Sequence, residues 1–402
     1  MRSYIILGGN FQNTGAGSMT LIMADEIRKR FPDAEITVFA PMKDAVESRG
    51  KYTFEVAHMS GSTLKRASAG SAGPRYYAEG LARLVLGKGN QFKEYRRLKE
   101  LLARCSGVFD ISGYAISSQF RNQNTLGKLA NVDLFTKHGI PFYFMPQSFG
   151  PFDYRENREY MLSRLRETLP KAAKIFARES EGYEMLKELI GEGNIVRSYD
   201  MVLQSRGIEK KNIYKTEPPV HEIPVETGNN AALIPNMRNF DHGNREEILA
   251  LYDDVVRLLL ELGKNVYLIS HSAEDSEACG LIRERFAGDD RVILVGDKID
   301  SWNYDALIRK FDFAIASRFH SIVHAYRAGT PCIALGWATK YRELLEAMEQ
   351  REYIFDVRDL RDKEKLLAAV RHMNENYEKE KEIIKKRLLA IRETNCFDMI
   401  DF

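Results

Sequence analysis

Residues 313–335 read FAIASRFHSIVHAYRAGTPCIAL, and this stretch decides the fold. The continuous apolar run Phe313–Ala316 suits a strand covered on both faces. Beyond Ser317 and Arg318 the sequence reads as a helix to about Ala328, stopped by Gly329 with Pro331 just beyond. A second apolar run, Cys332–Leu335, follows at once. Strand, helix and strand at this spacing make the βαβ unit of a parallel sheet.

The same pattern recurs in both directions. Upstream runs that read as strands are Tyr4–Leu7, Glu35–Phe39, Gly107–Ile111, Pro141–Met145, Lys174–Ala177 and Asn194–Arg197. In the second half they are Ala231–Ile234, Asn265–Ile269 and Arg291–Val295, followed by the two already quoted. Helical patterns lie between them, as in Met19–Phe31 and Arg245–Leu262. The alternation breaks at Ile208–Asn230, where Pro218, Pro219 and Pro224 stand without a lasting apolar period. The sequence therefore predicts an α/β chain of two Rossmann-like, doubly wound parallel-sheet domains, at residues 1–210 and 231–362. Residues 211–230 are the linker and 363–402 a charged helix packing across both. Two such units facing across a cleft resemble the GT-B architecture.

At 402 residues the chain is too long for one ordinary core. Its 59 Lys and Arg against 57 Asp and Glu leave no basic surplus of the kind that nucleic-acid binding needs. Cys105, Cys279, Cys332 and Cys396 lie far apart and form no metal-ligand spacing, which predicts reduced thiols in a cytoplasmic setting and no metal. The opening residues Met1–Gly9 lack the apolar length and cleavage site of a secretory leader. No stretch approaches the ~18 apolar residues of a membrane span. Residues 64–104 are basic, with ten Lys and Arg against Glu79, Glu94 and Glu100. A solvated helical face is one reading, and a peripheral landing surface for anionic lipid is the other.

The chemistry concentrates at strand ends. In an open α/β sheet, ligands bind beyond the carboxyl ends of the strands. Arg318 and His320, with Ser317 and Ser321, stand at such an end and at a helix amino terminus, where the dipole favours an anion. Arginine there can grip a carboxylate or phosphate through two parallel bonds, and histidine there is poised as a general acid or base. Arg178 follows Lys174–Ala177, and Arg238 follows Ala231–Ile234, so both are cleft candidates. The first strand runs into a glycine-rich turn holding Gly9, Asn10, Asn13 and Gly15, without GxGxxG spacing. Ser112, Gly113, Tyr114 and Gln147 follow other strand ends as candidate rim residues with polar groups suited to sugar hydroxyls.

In their order these residues resemble the polysaccharide pyruvyl transferase family. The match runs through Arg318-Phe319-His320, Ala325, Ala328-Gly329-Thr330-Pro331 and Lys340. Upstream, Gln147-Ser148-Phe149-Gly150-Pro151 looks like the family's Gln-Gly-x-Gly-Pro loop and Arg178-Glu179-Ser180 like the start of its Arg-Asp-x-x-Ser segment. Asp200 looks like the aspartate after the next strand, and Asn13-Thr14-Gly15 like the start of an Asn-x-Gly-Asp turn. The family's aspartates are replaced by Ala16 and Glu179, and its triple-glycine loop by Ser112-Gly113-Tyr114.

The resemblance implies transfer of pyruvate from phosphoenolpyruvate to two hydroxyls of one sugar in a glycan or lipid-linked acceptor, forming a cyclic ketal. It implies His320 as proton donor and Arg318, Arg178, Arg238 and Lys340 as anion contacts, with phosphoenolpyruvate as co-substrate and no further cofactor. Two alternatives stand beside it. One is a GT-B glycosyltransferase using a nucleotide sugar, with Glu343 or Glu346 on the donor ribose. The other is a non-catalytic sugar-phosphate-binding relative.

Overall fold

The computed structural model describes residues 2–69, 74–87, 90–218, 223–225, 228–241, 244–296, 299–336, 339–357 and 363–402. Residues 70–73 and 88–89 of the basic stretch, 219–222 and 226–227 of the proline-rich stretch, and 358–362 lie outside them.

The first sheet holds β1 (Ser3–Leu7), β2 (Glu35–Phe39), β3 (Glu55–Ala57), β4 (Cys105–Asp110), β5 (Tyr114–Ile116), β6 (Phe142–Phe149), β7 (Lys174–Ala177) and β8 (Ile195–Arg197). They run in the order β3-β2-β1-β4-β6-β7-β8, with β5 beside the far end of β6. The second sheet holds β9 (Asn230–Ile234), β10 (Asn265–Ile269), β11 (Val292–Val295), β12 (Phe313–Ala316), β13 (Cys332–Leu335) and β14 (Ile354–Phe355) in the order β11-β10-β9-β12-β13-β14. Every pairing is parallel. In both sheets the strand order reverses beside the first strand, at β1/β4 and at β9/β12. These switch points are where an open α/β sheet leaves a crevice.

The strands are apolar because both faces are covered. All of β1 is buried, with Tyr4 and Ile6 in one core and Ile5 and Leu7 in the other. The core holding Tyr4 and Ile6 is continuous with that of the second sheet, so the two units share packed side chains. Helix Phe319–Ala328 ends at Gly329, which takes the left-handed φ of 80° that a glycine tolerates without strain.

Helix Lys363–Glu393 lies against helix Arg245–Glu261 of the second unit and Met201–Gln204 of the first. The last residues then return to the first sheet. The Arg2 guanidinium donates to the Phe402 carbonyl at 2.7 Å, and the Tyr143 hydroxyl donates to that of Asp401 at 2.8 Å. Among the described residues no helix is long and apolar enough to cross a membrane.

Candidate active site

The two units meet where helix Thr14–Arg30, opening after β1, points its amino terminus at the turn after β12. Asn13 caps that helix, its side-chain oxygen accepting from the Ala16 N–H at 3.0 Å. The Thr14 hydroxyl donates to the His271 carbonyl at 3.2 Å, and the Ser301 hydroxyl donates to the Thr14 carbonyl at 2.8 Å. Gly15 lies directly against His320: a β-carbon there would stand 2.6 Å from Nδ1 and closer still to the ring carbons. Gly17 makes the same close approach to Ser301. The glycines of the first turn are therefore the price of contact between the units.

His320 sits in the first turn of helix Phe319–Ala328. Its Nε2 lies 3.6 Å from Asp200 Oδ2 of the other unit and makes no hydrogen bond among the described residues. Asp200 is fixed from its own side, accepting from the Val202 N–H at 2.8 Å and from Arg178 Nη1 at 2.9 Å. The remaining nitrogens of the buried Arg178 guanidinium donate to Glu179 Oε1 at 2.7 Å and Ser148 Oγ at 2.7 Å. Its carbon rests 4.0 Å from the centre of the Phe319 ring, so the first unit's arginine stacks on the second unit's helix start.

Burial opposes the charge on Asp200, but His320 and Arg178 outweigh it and hold the carboxyl well below its usual range. Burial pushes the His320 imidazole below its ordinary value, with the interaction with Asp200 opposing. An incoming anion adds to that opposition and favours the charged ring.

Lys340, in the first turn of helix Thr339–Ala347, closes the arrangement. Its ammonium stands 5.6 Å from the ring centres of Tyr114, Phe319 and Tyr341. Burial, aided by the positive charges of Arg178 and Arg318 and opposed by Glu179, pushes it down to about 8. Among the described residues no carboxylate lies within ion-pair reach of it, whereas the cleft's arginines, Arg178, Arg197 and Arg387, are all matched by acids. The cleft has a volume of about 460 Å³ and is lined by Arg178, Asp200, Phe319, Lys340 and Glu343 among others.

Several predicted residues stand elsewhere. Arg318 turns away to helix Asp275–Arg285, its Nε 3.0 Å and its Nη2 2.7 Å from Asp275, with Nη2 also on Glu274 and Ser272. Two of its three nitrogens are thus committed within the second unit. Arg238 is exposed and shares Glu274 with it at 3.3 Å. The Ser317 hydroxyl is buried on that of Tyr252 at 3.1 Å, and the Ser321 hydroxyl donates to the Arg318 carbonyl at 2.6 Å, so both serines serve the fold rather than a donor. Gly9 is packed on Val38, and the Asn10 side chain accepts from the Gln12 N–H at 2.9 Å within its own turn.

Ser112 bonds Lys128, which also pairs with Asp110 at 2.8 Å, and Gly113 takes the bend between β4 and β5. The Tyr114 hydroxyl donates to the Gly150 carbonyl at 2.9 Å while its ring faces Lys340. Gln147 is wholly buried, and neither amide atom has a hydrogen-bond partner among the described residues.

His324 stands one helical turn beyond His320. It is buried between the units, with Nε2 3.1 Å from the Ser18 hydroxyl and Nδ1 2.5 Å from Asp305. Glu343, the ribose candidate of the glycosyltransferase reading, accepts from the Ser180 N–H at 2.7 Å and from Arg197 at 2.7 Å, linking the two units at the cleft wall. Among the described residues no three His, Cys, Asp or Glu side chains group as metal ligands would.

Gly15→Ala tests the closeness of the units at His320. Displacing that ring by about 1 Å is expected to lower kcat/KM roughly 100-fold while the melting temperature moves by only a few degrees. Steady-state kinetics beside circular dichroism measures both.

A family model described as polysaccharide pyruvyl transferase matches residues 13–339. No curated protein matches the chain. Among solved structures, the UDP-GlcNAc 2-epimerase from Methanocaldococcus jannaschii is similar with a TM-score of 0.58 at 14% identity, covering 92% of each chain. The S. aureus MnaA–UDP structure gives 0.57 at 12%, covering 98% of this chain and 92% of its own. The trehalose-6-phosphate synthase OtsA gives 0.55 at 10%, covering 100% and 99%. At such identities the likeness is one of fold: two Rossmann-like units in the GT-B arrangement.

Proposed function

The chain belongs to the polysaccharide pyruvyl transferase family, and from that premise we propose that it moves pyruvate from phosphoenolpyruvate onto two hydroxyls of one acceptor sugar. The observation that supports this reading most is Lys340, a half-buried amine of the cleft with no carboxylate partner among the described residues, facing the ring of Phe319, the residue before His320. A small polyanion meets such a site well, because each cation it neutralises stops opposing the next.

In this reading His320, protonated as the donor's negative charge enters, gives its proton to the methylene carbon. The double bond becomes a methyl group, and C2 becomes electrophilic. One sugar hydroxyl adds at C2, the C2–O bond to phosphate breaks, and a neighbouring hydroxyl closes the ketal. Of the two hydroxyl protons, one restores His320 and the other leaves with phosphate, so the reaction balances as donor plus diol giving ketal plus phosphate. Lys340 and the amino terminus of helix Phe319–Ala328 offset the charge on the departing phosphate. Arg178 holds Asp200, and Asp200 fixes His320 from the far side. The Tyr114 ring forms part of the wall that an acceptor meets.

Phosphate release from phosphoenolpyruvate, followed with a panel of synthetic and lipid-linked glycosides, tests the reading. Release that needs an acceptor and is lost in Lys340→Met supports it. No release, together with thermal protection by UDP but not by phosphoenolpyruvate, moves the assignment to a nucleotide-sugar enzyme.

The amine also sets a pH dependence. Only the protonated form attracts the donor, so kcat/KM for phosphoenolpyruvate is expected to fall as pH rises through about 8. Lys340→Arg, whose guanidinium stays charged, is expected to remove that limb.

A further inference from the structure

We propose that the arm formed by helices Pro74–Val85 and Gln91–Leu102 is a docking surface for an anionic phospholipid bilayer. Helix Pro74–Val85 is amphipathic, with Tyr77 stacked on Phe92 and the rest of its apolar side exposed among the described residues. Tyr77, Leu81, Leu84 and Val85 recur at helical spacing and are exposed, Val85 to 77%, and Leu86 continues the stripe at 64%. With Phe92 they supply six of the twelve exposed large apolar side chains among the described residues, whereas a monomer's exposed apolar residues are ordinarily scattered. The helix meets helix Gln91–Leu102 through Gly80, which lies against the Phe92 ring, and through Arg83, which pairs with Glu94.

The charge around the stripe selects the partner. Arg96 and Lys99 share the face of helix Gln91–Leu102 that carries Phe92, at i+4 and i+7, and both are exposed, as is Lys93. Of the acids on this helix, Glu100 is exposed beside Arg96 and Lys99, and Glu94 is turned inward, so the outward cations stay in surplus. Glu94 accepts from the Ser60 N–H at 3.1 Å and the Thr63 hydroxyl at 3.0 Å, and pairs with Arg83 at 3.3 Å. An apolar stripe bordered by outward cations is the pattern that inserts at a lipid interface while its charges meet anionic headgroups. Helix Gly61–Ala69, which packs against helix Gln91–Leu102, also lines a groove of about 630 Å³ that has Leu64, Leu126 and Phe120 in its walls and reaches Tyr114, whose ring faces Lys340. The docking proposal stands apart from the pyruvyl reading, and its test contains no substrate.

Full-length protein is sedimented with vesicles of phosphatidylcholine alone and of phosphatidylcholine and phosphatidylglycerol in equal parts. At least tenfold more protein is expected to pellet with the anionic vesicles. The pair Leu81→Glu and Val85→Glu is expected to abolish pelleting, and the pair Arg96→Glu and Lys99→Glu to abolish the preference for anionic lipid. Both pairs should melt with the wild type, since all four side chains are exposed. Wild-type protein that stays in the supernatant with both vesicles overturns the proposal, as does equal pelleting of the Leu81→Glu, Val85→Glu pair. A lipid-free wild-type dimer that this pair converts to monomer also overturns it, in favour of a second copy of the chain as the occupant.

Discussion

His320→Ala is expected to lower kcat for phosphate release by roughly 10²–10⁴ while leaving the fold in place. The ring belongs to the second unit and faces a fixed carboxylate of the first, with Nε2 3.6 Å from Asp200. Its loss takes away the proton that the methylene carbon must receive. It does not strand a buried charge, because Asp200 keeps its bonds to Arg178 and to the Val202 N–H. Donor binding should therefore weaken much less than turnover, since Lys340 and Arg178 remain. Initial rates against donor concentration separate the two effects, and circular dichroism shows whether the chain melts as before. His320→Gln, which keeps polarity and bulk but carries no transferable proton, should be as inactive as the alanine variant.

Arg178→Leu is expected to destabilise the chain by about 3–5 kcal/mol, a large share of an ordinary domain's stability. The guanidinium is buried, and its removal leaves Glu179 and Asp200 buried without their cation. The stacking on Phe319 goes with it, so the contact between the units weakens too. Urea unfolding measures the loss, and adding Asp200→Asn and Glu179→Gln to the variant should recover part of it by removing the stranded charges. Acid has a related effect on the wild type. Asp200 is held below the usual carboxylate range in the folded chain, so its stabilising contribution is full above the unfolded value of about 4. That contribution is lost progressively as pH falls below this value.

The strands were legible in the sequence because nearly all are continuous apolar runs, and Glu35–Phe39, Lys174–Ala177, Asn265–Ile269, Phe313–Ala316 and Cys332–Leu335 lie where those runs place them. The short strands β3, β5 and β14 were not. Glu55-Val56-Ala57 carries too little apolar sequence to stand out, and these segments are strands because a neighbour's open edge pairs with them. The first helix begins at Thr14 rather than Met19 because Asn13 caps it and the second unit packs on its glycines. Read alone, those glycines signal a turn, since the contact that requires them lies some three hundred residues away.

The site divides in the same manner. The strand-end rule pointed to the turns that hold Arg178, His320 and Arg318, and Asp200 follows a strand end as well. It could not give the direction of a side chain. Arg318 turns to Asp275 and Glu274, on a helix after β10, and no local pattern links those residues to it. The pairing of Arg178 with Asp200, and Glu343 set on the Ser180 N–H across the cleft, are likewise products of tertiary packing.

Mass spectrometry of the acceptor after incubation with phosphoenolpyruvate tests the central claim most directly. The expected product has gained pyruvate less one water, keeps neither of two adjacent hydroxyls free, and reverts in mild acid as a ketal does. An acceptor left unchanged by phosphoenolpyruvate but lengthened by a sugar from a UDP-sugar would contradict the assignment and make the cleft a glycosyl-transfer site.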